Sequence, residues 1–285
     1  MDVHLQTPRS ADAISVDRLS VRFKPRGGGE VMAVREASFH VGVGEILCIV
    51  GPSGCGKSTA LNAIAGLLAS DEHHQVEVSG SINIFGGPLG PQDRRLGYMF
   101  QQDTLLPWRT ALQNVELPLI FQHRKERRDL PTELLRMAGL ANFAHRYPKE
   151  LSGGMRKRIQ LVQVLAHNPE ILLMDEPFGA LDAQTKTIMQ NEFLHVWDRD
   201  RKTIVFVTHD LNEAILLGDR IICMTARPGG IKAEFHVGIE RPRSTQTIVN
   251  DPAYASLFSS LWAALREEAD RAMRSVASEP VAREP

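Results

Sequence analysis

Cysteine is scarce in this chain, and the three present, Cys48, Cys55 and Cys223, form no C-x-x-C pair. An odd set with that spacing excludes a disulfide framework and a thiolate zinc site, and it fits a reducing cytosol. Long hydrophobic runs are missing too. No segment approaches the ~20 apolar residues that span a bilayer, and the opening MDVHLQTPRSAD lacks the charged start and apolar stretch of an export signal. Any membrane role is therefore expected to be peripheral, through partners. Charge is not biased either: 33 Lys and Arg stand against 34 Asp and Glu, a formal net charge of -1, so nothing favours nucleic acid as a partner. There is no internal repeat and no sustained heptad pattern.

What is present suffices for a core: 43% of the 285 residues are hydrophobic, enough for one large domain or two smaller ones. ISVDRLSVRF and VMAVREASFHV alternate as two antiparallel strands joined by the Gly-rich turn KPRGGGE. EILCIVG reads as a short buried strand, followed at once by a Gly-rich loop and the helix KSTALNAIAGLL. VEVSGSINIFG and LGYMF are further strands, whereas residues 111–158 are mostly helical in pattern, interrupted at Pro118, Pro131 and Pro148. Strand patterns return in EILLMDE, TIVFVTH and RIICMTA, with helical stretches after Ala183 and Asp210, which implies βαβ units and a mainly parallel sheet. LFSSLWAALREEADRAM places Leu257, Phe258, Leu261, Trp262 and Leu265 on one helical face, expected to dock on the rest. The tail SEPVAREP has the composition of a disordered segment.

GPSGCGKS, residues 51–58, satisfies G-x-x-x-x-G-K-[ST] between a buried strand and a helix. Its glycines let backbone N–H groups face a phosphate chain, Lys57 supplies a cation for the β- and γ-phosphates, and the Ser58 hydroxyl can ligate Mg²⁺. Thr59 is placed to reach the α-phosphate, and Cys55 needs no redox role. ILLMDEP ends an apolar strand in adjacent carboxylates, Asp175 to support the metal and Glu176 to polarise a water. Alone, such a pair is as readily a solvated turn; beside a P-loop the catalytic reading prevails. ELSGGMRKR, residues 150–158, offers a Ser, two Gly and a helical pattern, the parts of a backbone anion cradle, without a nucleophile, base or metal ligand. In isolation Ser152 there reads as a helix N-cap.

With LSGGM beside the P-loop and ILLMDEP, the chain resembles the ATP-binding cassette family, the nucleotide-hydrolysing subunits of ABC transporters, over roughly residues 14–243. Gln101 in YMFQQD matches the family's glutamine loop, Asp182 in GALD its D-loop and His209 in VTHD its switch histidine. The resemblance implies an α/β P-loop NTPase fold with a RecA-like parallel-sheet core, an N-terminal antiparallel β part and an inserted helical subdomain. Its expected divisions are 14–101 and 168–243 for the nucleotide-binding core, 102–167 for the helical subdomain and 244–285 for a C-terminal helical extension and tail. It implies ATP and Mg²⁺ as ligands. Gly51, Pro52, Ser53, Gly54, Cys55, Gly56, Lys57, Ser58 and Thr59 would cradle the nucleotide, with Ser58, Gln101 and Asp175 at the metal and Lys57, Gln101, Glu176 and His209 at the chemistry. Asp182 belongs to the same nucleotide set, and Phe23 matches the position where the family stacks a ring on adenine.

In the family two cassettes pack head to tail, so Ser152, Gly153 and Gly154 would clasp the γ-phosphate of ATP held on the partner's P-loop. The expected partners are a second copy or a homologous cassette, transmembrane permease subunits and, indirectly, an extracytoplasmic solute-binding protein. The expected place is the cytoplasmic face of the cell membrane. LLPW after the glutamine, YPKELSGGMRKR, LLMDEPFGALDAQT, FVTHDLNEA and RPR at Arg241 to Arg243 are similar to the importer branch serving nitrate, sulfonates and taurine. The cargo itself is chosen elsewhere and is not legible in a cassette. Soluble ABC proteins of translation or DNA repair usually carry two cassettes or a long coiled coil, and one P-loop with one LSGGM argues against them. A P-loop kinase or small GTPase predicts neither LSGGM nor the Glu176 and His209 pair. One departure stands out: where the family continues with an Ala-rich helix containing an Arg, this chain has IQLVQVLA, with Gln160 and Gln163. Following the resemblance, Leu105, Leu106, Pro107 and Trp108 of LLPW are expected to help line a groove for a short cytoplasmic helix of the permease, the alternative for Trp108 being packing of the helical subdomain. HRKERRD and DEHHQ read as a solvated helix face and a polar loop.

Overall fold

Alternating apolar and polar residues fold into a long hairpin, β1 (Asp12–Phe23) and β2 (Val31–Gly42), paired antiparallel from Asp12 opposite Gly42 to Phe23 opposite Val31. The computed structural model describes residues 12–25, 28–68, 75–90, 93, 95–122 and 129–278. The expectations for the opening residues, for most of DEHHQ and HRKERRD, and for the tail lie outside these. β3 (Ile46–Val50), buried at every residue, runs into the 51–56 loop and α1 (Lys57–Ile64). β4 (Val76–Ile84) pairs with β1, and the two-residue β5 (Gly87–Pro88) completes an antiparallel sheet in the order β2-β1-β4-β5.

The chain continues through β6 (Leu96–Met99), α2 (Ala111–Phe121), α3 (Leu130–Met137) and α4 (Gly153–His167). Then come β7 (Ile171–Asp175), α5 (Ala183–Asp200), β8 (Thr203–Val207), α6 (Leu211–Leu217), β9 (Arg220–Met224), β10 (Ile231–His236) and α7 (Pro252–Ser278). The second sheet has the order β10-β9-β3-β8-β7-β6; its strands run parallel except β10, which is antiparallel to β9. The mainly parallel α/β core expected from the sequence is therefore the core observed. β10 was not among the expected strands: it lies at the sheet edge and is only half-buried, so IKAEFH carries a weak apolar pattern.

One apolar cluster lies between the parallel sheet and the helices α5, α6 and α7, with Phe178, Phe193, Phe206 and Leu261 inside. A second, with Leu19, Val41, Leu61 and Val207, joins the two sheets through α1. A third, with Val115, Leu135 and Ile159, belongs to α2, α3 and α4. The RPR segment closes the first cluster from outside. Arg241 pairs with Asp219 at 2.8 Å and lies over the Trp197 ring at 4.2 Å. Arg243 is buried, donating to the carbonyls of Val237 (3.2 Å), Ile239 (2.6 Å), Ile215 (3.3 Å) and Gly218 (2.5 Å). Burial pushes its guanidinium down to about 10, with the Arg241 charge adding to the effect.

Two details depart from the sequence expectations. α2 is not interrupted at Pro118 but runs through it to Phe121. A proline forfeits one donor, and here the next turn still closes, Gln122 N–H donating to Pro118 O at 3.0 Å, while Leu117 and Leu119 are buried on either side. Trp262 was expected on the docking face of α7 and is 57% exposed. It stands one residue, about 100° of helix, past the fully buried Leu261, and the docked face is completed by Leu257, Phe258, Ala264 and Leu265 instead.

Candidate functional site

The parallel strands end together at one edge, and Lys57, Gln101, Asp175, Glu176 and His209 lie there, each just beyond or at the end of a strand, whereas Phe23, Ser152 to Gly154 and Asp182 belong to other elements. The loop leaving β3 is shaped by Gly56, whose φ of 106° is left-handed and whose Cβ, were there one, would stand 2.5 Å from Ala33 O. Lys57 opens α1, buried, with Nζ donating at 2.9 Å to both Gly51 O and Pro52 O. No side chain caps α1, so its first N–H groups point toward whatever anion the loop receives. Pro52, Ser53 and Gly54 form the loop's outer lip, Cys55 is buried beneath it, and Ser58 and Thr59 are half-buried in the first turn.

Asp175 ends β7 and is buried. Burial raises its carboxyl above the ordinary aspartate range, with Glu176 adding to this, while a hydrogen bond with Ser58 and the Lys57 charge oppose it. Its Oδ1 finds no donor among the described residues. A buried carboxylate oxygen without a partner, beside a hydroxyl and a P-loop, is an arrangement that suits a hard cation.

Glu176 has a φ of 46°, in a region rarely used by residues other than Gly, held by its own N–H to Val207 O at 3.0 Å and by Gly179 N–H to its carbonyl at 3.2 Å. That turn swings the carboxylate between two other elements. Gln101 Nε2 donates to Glu176 Oε2 at 3.0 Å from beyond β6, and His209 Nδ1 lies 3.1 Å from Glu176 Oε1 from beyond β8. Of the four residues expected at the chemistry, Gln101 and His209 thus each meet Glu176, and Lys57 lies in the neighbouring loop.

Ser152 is the N-cap of α4, its Oγ accepting from Met155 N–H at 3.2 Å. Gly153 and Gly154 form the first turn of that helix. One turn further on, α4 grips the glutamine loop. Lys157 Nζ donates to Phe100 O at 2.7 Å and Gln101 O at 2.9 Å; Gln160 Nε2 donates to Phe100 O at 3.1 Å, Gln102 O at 3.2 Å and Thr104 Oγ1 at 3.2 Å. Arg156 Nε reaches Asp103 Oδ2 at 2.6 Å. These contacts explain the departure at Gln160, and sequence reading missed them: only a polar residue on the inward side of α4 hinted at them. Asp182 caps α5, accepting from Thr185 N–H at 3.0 Å, and that bond holds its carboxyl below the ordinary range. Phe23 is half-buried at the end of β1, beside Val31 and Val76.

The model of the ABC transporter family matches residues 34–179, a stretch running from β2 past Glu176. This chain belongs to the ABC transporter family. The cassette is 41% identical to an uncharacterised ABC transporter ATP-binding protein of Methanocaldococcus jannaschii, over 81% of this chain and 88% of that one. It is 40% identical to the taurine import ATP-binding protein TauB of Rhizobium johnstonii, over 93% of this chain and 100% of that one. To the nitrate import ATP-binding protein NrtD of a Synechocystis strain the cassette is 38% identical, over 88% and 94%. Among solved structures it resembles a dimeric ATP-binding cassette in a post-hydrolysis state bound to ADP and Pi, with a TM-score of 0.69 and 36% identity, covering 80% of this chain and 100% of that one.

Proposed function

We propose that the cassette is the ATP-hydrolysing subunit of an importer for a small solute of the nitrate, sulfonate or taurine kind. The observation that carries the catalytic part is the meeting of Gln101, Glu176 and His209 beside the P-loop. In this reading Lys57 and the N–H groups of residues 51–59 hold the ATP phosphates, and Phe23 stacks on adenine. Glu176 accepts the proton of the attacking water, Gln101 orients that water, and His209 contacts the γ-phosphate. Mg²⁺ fits the oxygens of Asp175, Ser58 and Gln101, and when bound it neutralises charge on the β- and γ-phosphates.

Two copies close head to tail, with Ser152, Gly153, Gly154 and Asp182 of each facing the nucleotide of the other. Residues 14–101 and 168–243 make the nucleotide-binding core, residues 102–167 the helical subdomain and residues 244–285 the extension. The assembly sits at the cytoplasmic face of the membrane through permease subunits, served by a solute-binding protein outside. Support for import comes from the taurine and nitrate relatives and from the surface next to the glutamine loop. There a groove of about 540 Å³ is lined by Phe100, Thr104, Leu117, Phe121 and Gln160, a shape suited to a short helix of the permease.

Trp108 does not line that groove; it lies four residues past Thr104, which does, and tests the permease contact of the same segment. It is 70% exposed, so it does not pack the helical subdomain; Leu105, by contrast, is buried in that subdomain's core and is not available to the groove. Trp108→Ala is expected to change stability by no more than ~0.5 kcal/mol and to leave basal ATPase intact. In proteoliposomes holding permease and solute-binding protein, the same variant is expected to lose most solute-stimulated hydrolysis and uptake. A large drop in melting temperature with normal coupling would refute the assignment, and absence of ATP-driven uptake by the wild-type assembly would refute import.

A further inference from the structure

The C-terminal helix reaches the turn behind the phosphate loop through Glu268, with Lys232 of β10 tied to the same helix through Glu267 at 2.6 Å and Glu268 at 2.9 Å. Glu268 lies seven residues after Leu261 on the docked face of α7 and is only 1% exposed. Its Oε2 accepts from Ala226 N–H at 2.8 Å; its Oε1 takes Lys232 Nζ at 2.9 Å and Arg271 Nη1 at 2.9 Å. Burial alone would raise this carboxyl, but the Ala226 N–H and the Lys232 charge outweigh burial and hold it below the ordinary glutamate range.

Ala226 belongs to the turn 225–230 between β9 and β10, and that turn is pressed against the P-loop. Gly229 N–H donates to Ala33 O at 2.9 Å, and Arg35 N–H donates to Gly229 O at 2.8 Å. A Cβ on Gly229 would stand 2.1 Å from Cys55 O, in the middle of the P-loop. The P-loop also meets Ala33 through Gly56 and Met224 through Gly51, where a Cβ would come to 2.5 Å and 3.2 Å. The loop is therefore wedged between β2 and the 225–230 turn; Glu268 holds that turn to α7 through Ala226 N–H, while Lys232, in the strand that follows, donates to Ala264 O of the same helix at 2.9 Å.

We infer that Glu268 is a positioning residue for the phosphate loop, so that the C-terminal helix sets the cassette's nucleotide affinity; this rests on the ATP-binding reading of residues 51–59. Without the anchor the turn recedes, and the P-loop loses the wall that fixes its backbone N–H groups. The test is calorimetric titration of the full chain with ADP, beside steady-state ATPase. Glu268→Ala is expected to weaken ADP about tenfold, ~1.4 kcal/mol, and to raise KM for ATP while kcat holds. Glu268→Gln keeps an acceptor for Ala226 N–H and is expected to fall between. Leu261→Ala, buried on the same helix away from the turn, serves as the packing control: it lowers the melting temperature and leaves ADP affinity as in wild type.

Folded Glu268 variants that bind ADP as tightly as wild type would overturn the inference. Should Glu268→Ala not fold, Glu268→Gln and Gly229→Ala decide, since a methyl at Gly229 displaces Cys55 directly; wild-type affinity in both overturns it as well. Loss of affinity in Leu261→Ala equal to that in the Glu268 variants would reduce the effect to general loosening and overturn it too. A wild-type chain that binds no ADP overturns the nucleotide reading itself, and the inference with it.

Discussion

Replacing Glu176 by Gln is expected to lower steady-state ATP hydrolysis by about 10²–10⁴-fold while nucleotide binding survives. Glutamine keeps the shape and can still bond with Gln101 and His209, which now meet the two carboxylate oxygens at 3.0 and 3.1 Å, but it cannot take a proton from water. The backbone that turns this residue out of β7 is held by Val207 and Gly179 through main-chain bonds, so the substitution leaves the loop in place. The variant is then expected to accumulate as an ATP-bound dimer, because the composite site forms without being cleared. Sedimentation at high ATP and protein concentration reads the dimer, and a phosphate-release assay reads the rate. Hydrolysis near the wild-type rate with Asp175 intact would remove Glu176 from the role of base.

Arg243→Ala carries the largest expected loss of stability. The side chain is a buried cation whose donors satisfy four backbone carbonyls where α6, β9 and the segment after β10 meet. Removing it leaves those acceptors in an apolar setting with no donor and opens a cavity, an effect on the order of 3–5 kcal/mol. For a chain of this size that is a fall in melting temperature on the order of 10 °C. Arg243→Lys is expected to recover only part of it, because a single ammonium cannot span the separated carbonyls that the guanidinium fork reaches. Arg241→Ala, which removes the Asp219 ion pair, one carbonyl bond to Leu217 and a contact with Trp197, strands fewer backbone acceptors and should cost less. A melting temperature for Arg243→Ala within a few degrees of wild type would contradict this account.

Sequence reading went furthest where chemistry is written in consecutive residues. The P-loop is legible because Gly56, Lys57 and Ser58 must follow one another for a left-handed turn to open a helix. β3, β7, β8 and β9 were legible because strands buried on both faces carry unbroken apolar runs, with Asp175, Thr203 and Arg220 only at their ends. The contact among Gln101, Glu176 and His209 was different. These residues come from three separate strand ends, and the resemblance brought them together before any geometry did.

The burial of Glu268, and of Arg243 although RPR was read as an importer mark, was not legible for a common reason: only its place in the packing shows that a charged residue is buried and paired. Glu268 nonetheless left a trace, since it falls in step with Leu257, Leu261 and Leu265 along α7. The misplaced Trp262 shows the converse, an aromatic side chain on the rim of a face assigned to the core because of its type.

The grip of α4 on the glutamine loop bears on how a pair of cassettes would keep time. Ser152 and Gln160 are eight residues apart on one helix, about 12 Å of rise, and the cap at one end and the amide at the other move as parts of the same rod. With Lys157 and Gln160 fastened to the carbonyls of Phe100, Gln101 and Gln102, a tilt at the capped end has no slack in which to dissipate before it reaches Gln101. In a head-to-tail dimer the arrival of a γ-phosphate at one site would thus be felt by the water-orienting residue of the other. The two hydrolytic events would share a clock rather than run on independent ones.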